Sequence, residues 1–128
     1  MSLLQKNTRK QADVGLGQAI AYFTGLGYSV SIPLTESQRY DLIVDDGETL
    51  YRVEVKTTRY RRENRYIAKL STQGGNQSWG GVVKKFSAAD ADYVFIVTEY
   101  GVRFLIPAEL IDGFSEVSLG GKYDEHIV

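Results

Sequence analysis

Across residues 8–26 the apolar positions Ala12, Leu16, Ala19, Ile20, Phe23 and Leu26 recur three and four apart, the period of one helical face, so the spacing predicts a long N-terminal helix. Thr8 followed by Gln11 has the form of a capping box at its start, and Gly25 and Gly27 mark its end. Beyond them the period shortens to two. Residues 28–33 alternate as a short strand stopped by Pro33, and residues 35–39 form a polar loop. Residues 40–57 hold two apolar runs around Asp45-Asp46-Gly47, which predicts a β-hairpin. A further strand fits residues 65–72. The glycine- and amide-rich stretch 73–81 around Trp79 reads as a loop, and residues 82–91 as a short helical turn carrying Lys84 and Lys85. The strongest strand signal is 92–98; it turns at Glu99-Tyr100-Gly101 and returns through 102–106. Pro107 suits the first position of a short helix ending at Ile111, and residues 115–119 suit an edge strand. The order α-β-β-β-β, then β-β-α, implies an α/β fold of the α+β type, a mixed sheet with the long helix across one face.

A chain of 128 residues, 43% hydrophobic and 24% charged with two prolines, suits one folded domain over residues 1–128. No apolar run approaches the roughly 20 residues that span a bilayer, and no charged-then-apolar leader precedes a cleavage site, so a cytoplasmic protein without membrane contact is expected. The absence of cysteine excludes disulfides and thiolate metal sites. A single histidine, His126, leaves no histidine zinc cluster and argues against Ser-His-Asp chemistry. Any catalysis must rest on carboxylates, lysine and a bound metal.

Charge sharpens this. Residues 1–85 carry 13 Lys and Arg against 8 Asp and Glu, whereas residues 86–128 carry 2 against 8. Strand alternation puts Arg52, Glu54 and Lys56 on one face and Val53 and Val55 on the other, and antiparallel pairing brings Asp41 back beside Glu54. Two carboxylates and an ammonium then converge where a divalent cation and a phosphate would sit. The cations Arg52, Lys56, Arg59, Arg61, Arg62, Arg65 and Lys69, followed by Lys84 and Lys85, would hold a polyphosphate beside that pocket. The competing readings are a structural ion pair on a solvent-facing strand and a solvated arginine loop. Asp45, Asp46 and Glu48 read as turn residues, and Tyr22, Phe23, Tyr93 and Phe95 as packing. Tyr60, Tyr66 and Trp79 suit either stacking on bases or packing under a loop.

Asp41, twelve intervening residues, then Glu54-Val55-Lys56 resembles the PD-(D/E)XK nuclease superfamily, in particular its small single-domain branch of intron-encoded homing endonucleases and Holliday-junction resolvases. The resemblance covers roughly residues 8–72 and implies a restriction-endonuclease-like core. Tyr40 stands where the family name has proline. Relatives often carry a glutamate in the first helix; that register falls on Leu16 here, with Asp13 one turn earlier as a possible fourth acid and Gln18 directed elsewhere.

Magnesium takes oxygen ligands, and Asp41, Glu54 and the Val55 carbonyl would supply them, with manganese as a substitute. The cation would ease ionisation of water and neutralise charge building on phosphorus, while Lys56 orients the water or binds the attacked phosphate. Arg59, Arg61, Arg62, Arg65, Lys84 and Lys85 are the expected DNA contacts, Arg59 only if the strand has ended before it. The reading is a metal-dependent endodeoxyribonuclease of homing, restriction or resolvase type, acting on duplex DNA as a homodimer or higher homo-oligomer. Its rivals are a catalytically weak or inactive nucleic-acid-binding module, and an accessory subunit whose acidic C-terminal third docks a partner.

Overall fold

The structure, a computed structural model, describes residues 2–73 and 83–128. It begins with helix α1 (Thr8–Gly25). The capping residue is Asn7 rather than Thr8: its side chain accepts from the backbone N–H of Arg9 and Lys10 at 3.0 and 3.2 Å. Gln11 does not close a capping box; its side chain donates to the Gln5 carbonyl at 2.6 Å. The helix ends as predicted. Gly27, at φ +85°, lets the Gly27 N–H reach Thr24 O and the Tyr28 N–H reach Phe23 O, satisfying two terminal carbonyls.

Five strands form the main sheet in the order β1 (Ser29–Ser31), β2 (Leu42–Asp45), β3 (Leu50–Thr58), β8 (Tyr93–Thr98), β9 (Arg103–Pro107). All neighbours are antiparallel except β3 and β8, which run parallel with Val53 opposite Tyr93, so the sheet is mixed. The predicted hairpin is present. Asp46 Oδ1 accepts from the N–H of Glu48 and Thr49, and Gly47 takes φ +96°, so Asp45 and Asp46 serve the turn. Central strand β8 is covered on both sides, which explains its unbroken apolar run. Phe95 and Val97 join Ala19 and Phe23 of α1 in one core; Val94 and Ile96 join a second core on the opposite face.

That second core is roofed by three further strands, β4 (Arg61–Arg62), β5 (Arg65–Lys69) and β10 (Glu116–Ser118), in the order β10-β5-β4. The strand expected at 65–72 therefore leaves the main sheet and starts a separate one. Glu63 and Asn64 both have positive φ, 53° and 68°, so they form the two-residue turn whose twist suits a tight hairpin. Thr58 ties the layers together: its buried hydroxyl donates to the Ile67 carbonyl at 2.6 Å.

The helical turn expected at 82–91 is replaced at its start by β7 (Val83–Lys84), which pairs with β6 (Thr72–Gln73); only residues 88–90 turn. Residues 74–82, including Trp79, lie outside the described residues. Pro107 closes β9 and precedes a 3-10 helix, Ala108–Ile111. The C-terminal end does not fray: a 3-10 helix, Gly121–His126, buries Tyr123, and the Val128 N–H donates to Arg103 O at 2.9 Å. Among the described residues no helix is long and apolar enough to cross a membrane.

Candidate active site

The register of β2 on β3 ends at Leu42 opposite Val53, and one residue earlier Asp41 enters the site. Its N–H donates to Val53 O at 2.9 Å, while its Oδ2 accepts from the Val55 N–H at 2.7 Å. The carboxylate thus takes the place of a strand residue and stays fixed where β2 parts from β3. In an extended strand the N–H and C=O of one residue face the same edge. Val55, whose N–H reaches Asp41, therefore turns its carbonyl to that edge too, beyond the last paired residue of β2. Glu54 and Lys56 share the opposite-facing set from Val53 and Val55, and Lys56 Nζ lies 3.2 Å from Glu54 Oε1, with side-chain exposures of 22% and 12%. The structure brings Asp41, Glu54, Val55 and Lys56 together beside the middle of β3, where β2 ends.

Burial dominates their electrostatics. Both Asp41 and Glu54 are pushed above their usual carboxylate values, in each case by desolvation first. The Val55 N–H and Lys56 pull Asp41 down without cancelling the effect; Lys56 does the same for Glu54, which Asp41 and Asp90 push up further. Desolvated carboxylates of like charge beside an open backbone carbonyl fit a hard divalent cation, which would supply the missing countercharge. Among the described residues no third Asp, Glu, His or Cys completes a metal cluster with them.

Between α1 and β3 lies a cleft of about 380 Å³ lined by Asp41, Val55, Lys56 and Thr57 from the sheet and by Ala12, Asp13 and Leu16 from the helix. Asp13 is exposed on the cleft wall, and Leu16 occupies the neighbouring position. Gln18 does not line it. Glu54 is not a wall of this cleft either; its contact with the group is through Lys56. Sequence reasoning missed the residue that lets the helix come so close. Gly15 is buried against β3, and a Cβ there would stand 2.5 Å from Thr57 Cγ2 and 3.3 Å from Val55 Cγ1. A glycine within the apolar face of a predicted helix was the available signal.

The expected phosphate-binding cations divide into two kinds. β3 ends at Thr58, as a phosphate role for Arg59 requires, yet Arg59 Nη2 is 3.1 Å from Glu99 Oε2, and Glu99 Oε1 also accepts from Tyr66 Oη at 3.1 Å. Arg62 meets Glu116 at 2.7 Å, and Lys69 meets the same carboxylate at 2.7 Å. Arg61 lies over the Tyr66 ring, 5.4 Å from its centroid, while Arg65, Lys84 and Lys85 are exposed with no acidic partner among the described residues. The acidic C-terminal part is thus partly spent on the chain's own basic arm, a pairing invisible to sequence because the partners are about 40 to 54 positions apart.

The PD-(D/E)XK endonuclease family profile matches residues 6–119. Among solved structures, a bacterial homing endonuclease superposes with a TM-score of 0.77 at 21% identity, covering 92% of this chain and 81% of that one. No curated protein sequence matches.

Proposed function

The chain belongs to the PD-(D/E)XK endonuclease family and its function is that of a nuclease, and on that premise we propose that it is a magnesium-dependent endodeoxyribonuclease hydrolysing phosphodiesters of duplex DNA. The observation that carries this reading is the pinning of Asp41 to the Val55 N–H at 2.7 Å beside the Glu54–Lys56 pair at 3.2 Å. Asp41, Glu54 and the Val55 carbonyl are the ligands, and manganese substitutes for magnesium. When bound, the dication supplies Lewis-acid stabilisation of charge on the phosphoryl oxygens and favours ionised water. Lys56, held by Glu54 at the mouth of the cleft, holds or positions the attacking water or the scissile phosphate. Asp13, on the facing wall, serves as the helix acid in place of Leu16.

Arg59, Arg61, Arg62, Arg65, Lys84 and Lys85 form the DNA contacts in this reading. A small domain with one site cuts two strands as a two-fold homodimer or a higher assembly. The cytoplasm, where magnesium and DNA meet, is its place of action.

Glu54→Ala and Lys56→Ala are expected to abolish metal-dependent cleavage while most DNA binding survives; unchanged cleavage by both variants defeats the assignment. A second reading, a nucleic-acid-binding module without turnover, draws on Leu16 at the helix-acid position and on the two-carboxylate donor set. Calorimetry decides between them: heat of magnesium or manganese binding that disappears in Asp41→Ala favours the enzyme, and its absence alongside tight, salt-sensitive DNA binding favours the module.

A further inference from the structure

A cavity of about 450 Å³ lies where β5 and β10 meet the 3-10 helix Gly121–His126, sharing no lining residue with the cleft between α1 and β3. Arg65 and Lys122 line it, both exposed and neither paired with an acid among the described residues. The single carboxylate in its wall, Glu116, is held at a pKa of about 2 by Arg62 and Lys69, so it remains charged but already balanced. Four cations therefore surround one acid.

The register explains the clustering. Arg62 faces Arg65 across the β4–β5 pair, Glu116 faces Lys69 across the β5–β10 pair, and strand alternation puts Arg65 and Lys69 on one side. The Arg65 guanidinium is laid against the backbone of Gly121, where a Cβ would come within 3.3 Å of Nη1 and 3.5 Å of Nη2. A guanidinium lying there, exposed beside the cavity, presents a planar fork of donors suited to a bidentate grip on a phosphate. Ser118, exposed on β10, adds a hydroxyl, and Phe114, 38% exposed, adds an apolar wall suited to a sugar or base edge.

We propose that this cavity and the adjoining outer face of the β10-β5-β4 sheet form a second nucleic-acid contact, which grips backbone phosphates of DNA outside the cleft. The ligand is a run of phosphodiesters rather than a single small anion. Arg65 and Lys69 are four strand positions apart, about 13 Å at a rise of ~3.3 Å per residue, a spread no lone phosphate bridges but successive backbone phosphates do. The proposal rests on the nuclease reading of the cleft for its choice of ligand.

The test is a salt titration of binding to a duplex several helical turns long, comparing the full-length protein with Arg65→Ala/Lys122→Ala, and with Ser118→Glu, which puts a new charge into the cavity without removing a packed side chain. The double variant should melt at the unchanged temperature, bind on the order of 10-fold more weakly near ~0.1 M salt, and lose about 2 from the slope of log affinity against log salt. Ser118→Glu should weaken binding in the same sense, and it decides the matter if the double variant fails to fold. Unchanged affinity and slope in folded variants overturn the contact, and with it the place of Arg65 among the DNA contacts, while leaving the metal-dependent cleavage assigned to Asp41, Glu54 and Lys56 intact. A wild-type protein that neither binds nor cuts the duplex overturns both.

Discussion

Gly15→Ala is the change that reports most directly on how the fold builds the cleft. A methyl group at this position would sit 2.5 Å from Thr57 Cγ2 and 3.3 Å from Val55 Cγ1. Carbon pairs prefer about 3.5–4.0 Å, so α1 must retreat by roughly 1 Å or Thr57 must leave its rotamer, which a β-branched side chain resists. Overpacking of this kind costs about 1–3 kcal/mol, and the better helix propensity of alanine returns about 1 kcal/mol, leaving a net loss of about 0–2 kcal/mol. For a chain of this size that is a fall in Tm of about 0–10 °C, at roughly 3–5 °C per kcal/mol. The functional loss should be larger. Asp13 and Leu16 ride on the same helix and face Asp41 and Lys56 across the cleft, and a displacement of about 1 Å in a reacting site costs on the order of 100-fold in rate. Thr57→Ser removes the clashing Cγ2, so in that background Gly15→Ala should become neutral or stabilising and cleavage should recover. Thermal melts and cleavage rates on the four proteins of this cycle check the reasoning. A Tm that rises for Gly15→Ala alone, or a clash that serine does not relieve, refutes it.

Cleavage should fail on acidification at a higher pH than exposed carboxylates would give, because burial raises both Asp41 and Glu54 and the protonated forms cannot hold a cation. The fold should outlast the activity: protonating these two groups restores stability as pH drops through their raised values, whereas the Glu116 contribution, complete above 4.5, is lost only as pH falls toward about 2. A rate profile and a circular-dichroism acid titration that coincide would contradict this. Asp41→Asn keeps an oxygen for the Val55 N–H and removes a desolvated charge, so the metal-free variant should melt no lower than the wild type while losing cleavage; a marked drop in Tm would show that the charge itself holds the strand end. Glu99→Gln withdraws the carboxylate shared by Arg59 and Tyr66, and should cost about 1–3 kcal/mol in chemical denaturation while strengthening DNA binding at low salt.

What was legible in the sequence is what local periodicity and turn chemistry determine. The helix, the Asp45–Gly47 turn and the alternation that separates Glu54 and Lys56 from Val53 and Val55 all depend on neighbours within a few residues, and each is present. Asn7 displaced the predicted Thr8 cap because two polar residues of similar capping strength stand side by side. The departures lie where distant segments decide. The apolar run at 65–72 alternates equally well for either sheet; only Thr58 and β10, far apart in sequence, draw it into the second one. The turn at Glu63-Asn64 lacks glycine, so its positive φ values gave little local signal. The arginines looked alike in sequence, but distant acids have committed some of them and not others.

That division sets a bound on how the protein reads DNA. Of the cations expected on phosphates, Arg59 and Arg62 are held by Glu99 and Glu116, while Arg61, Arg65, Lys84 and Lys85 have no acidic partner among the described residues, and Lys122 joins them. With about 0.9 counterions released per neutralised phosphate, five such cations give a slope of log affinity against log salt of roughly −4 to −5 per chain. Arg59, Arg62 and Lys69 add to it only if DNA phosphates displace Glu99 and Glu116, which exchanges one partly desolvated ion pair for another and gains little on its own. A measured slope of about −7 or steeper per chain would therefore mean that these pairs open on binding. In that case Glu99→Gln should leave the slope unchanged while raising affinity; if the pairs stay closed in the wild type, the same substitution should steepen the slope by about 1.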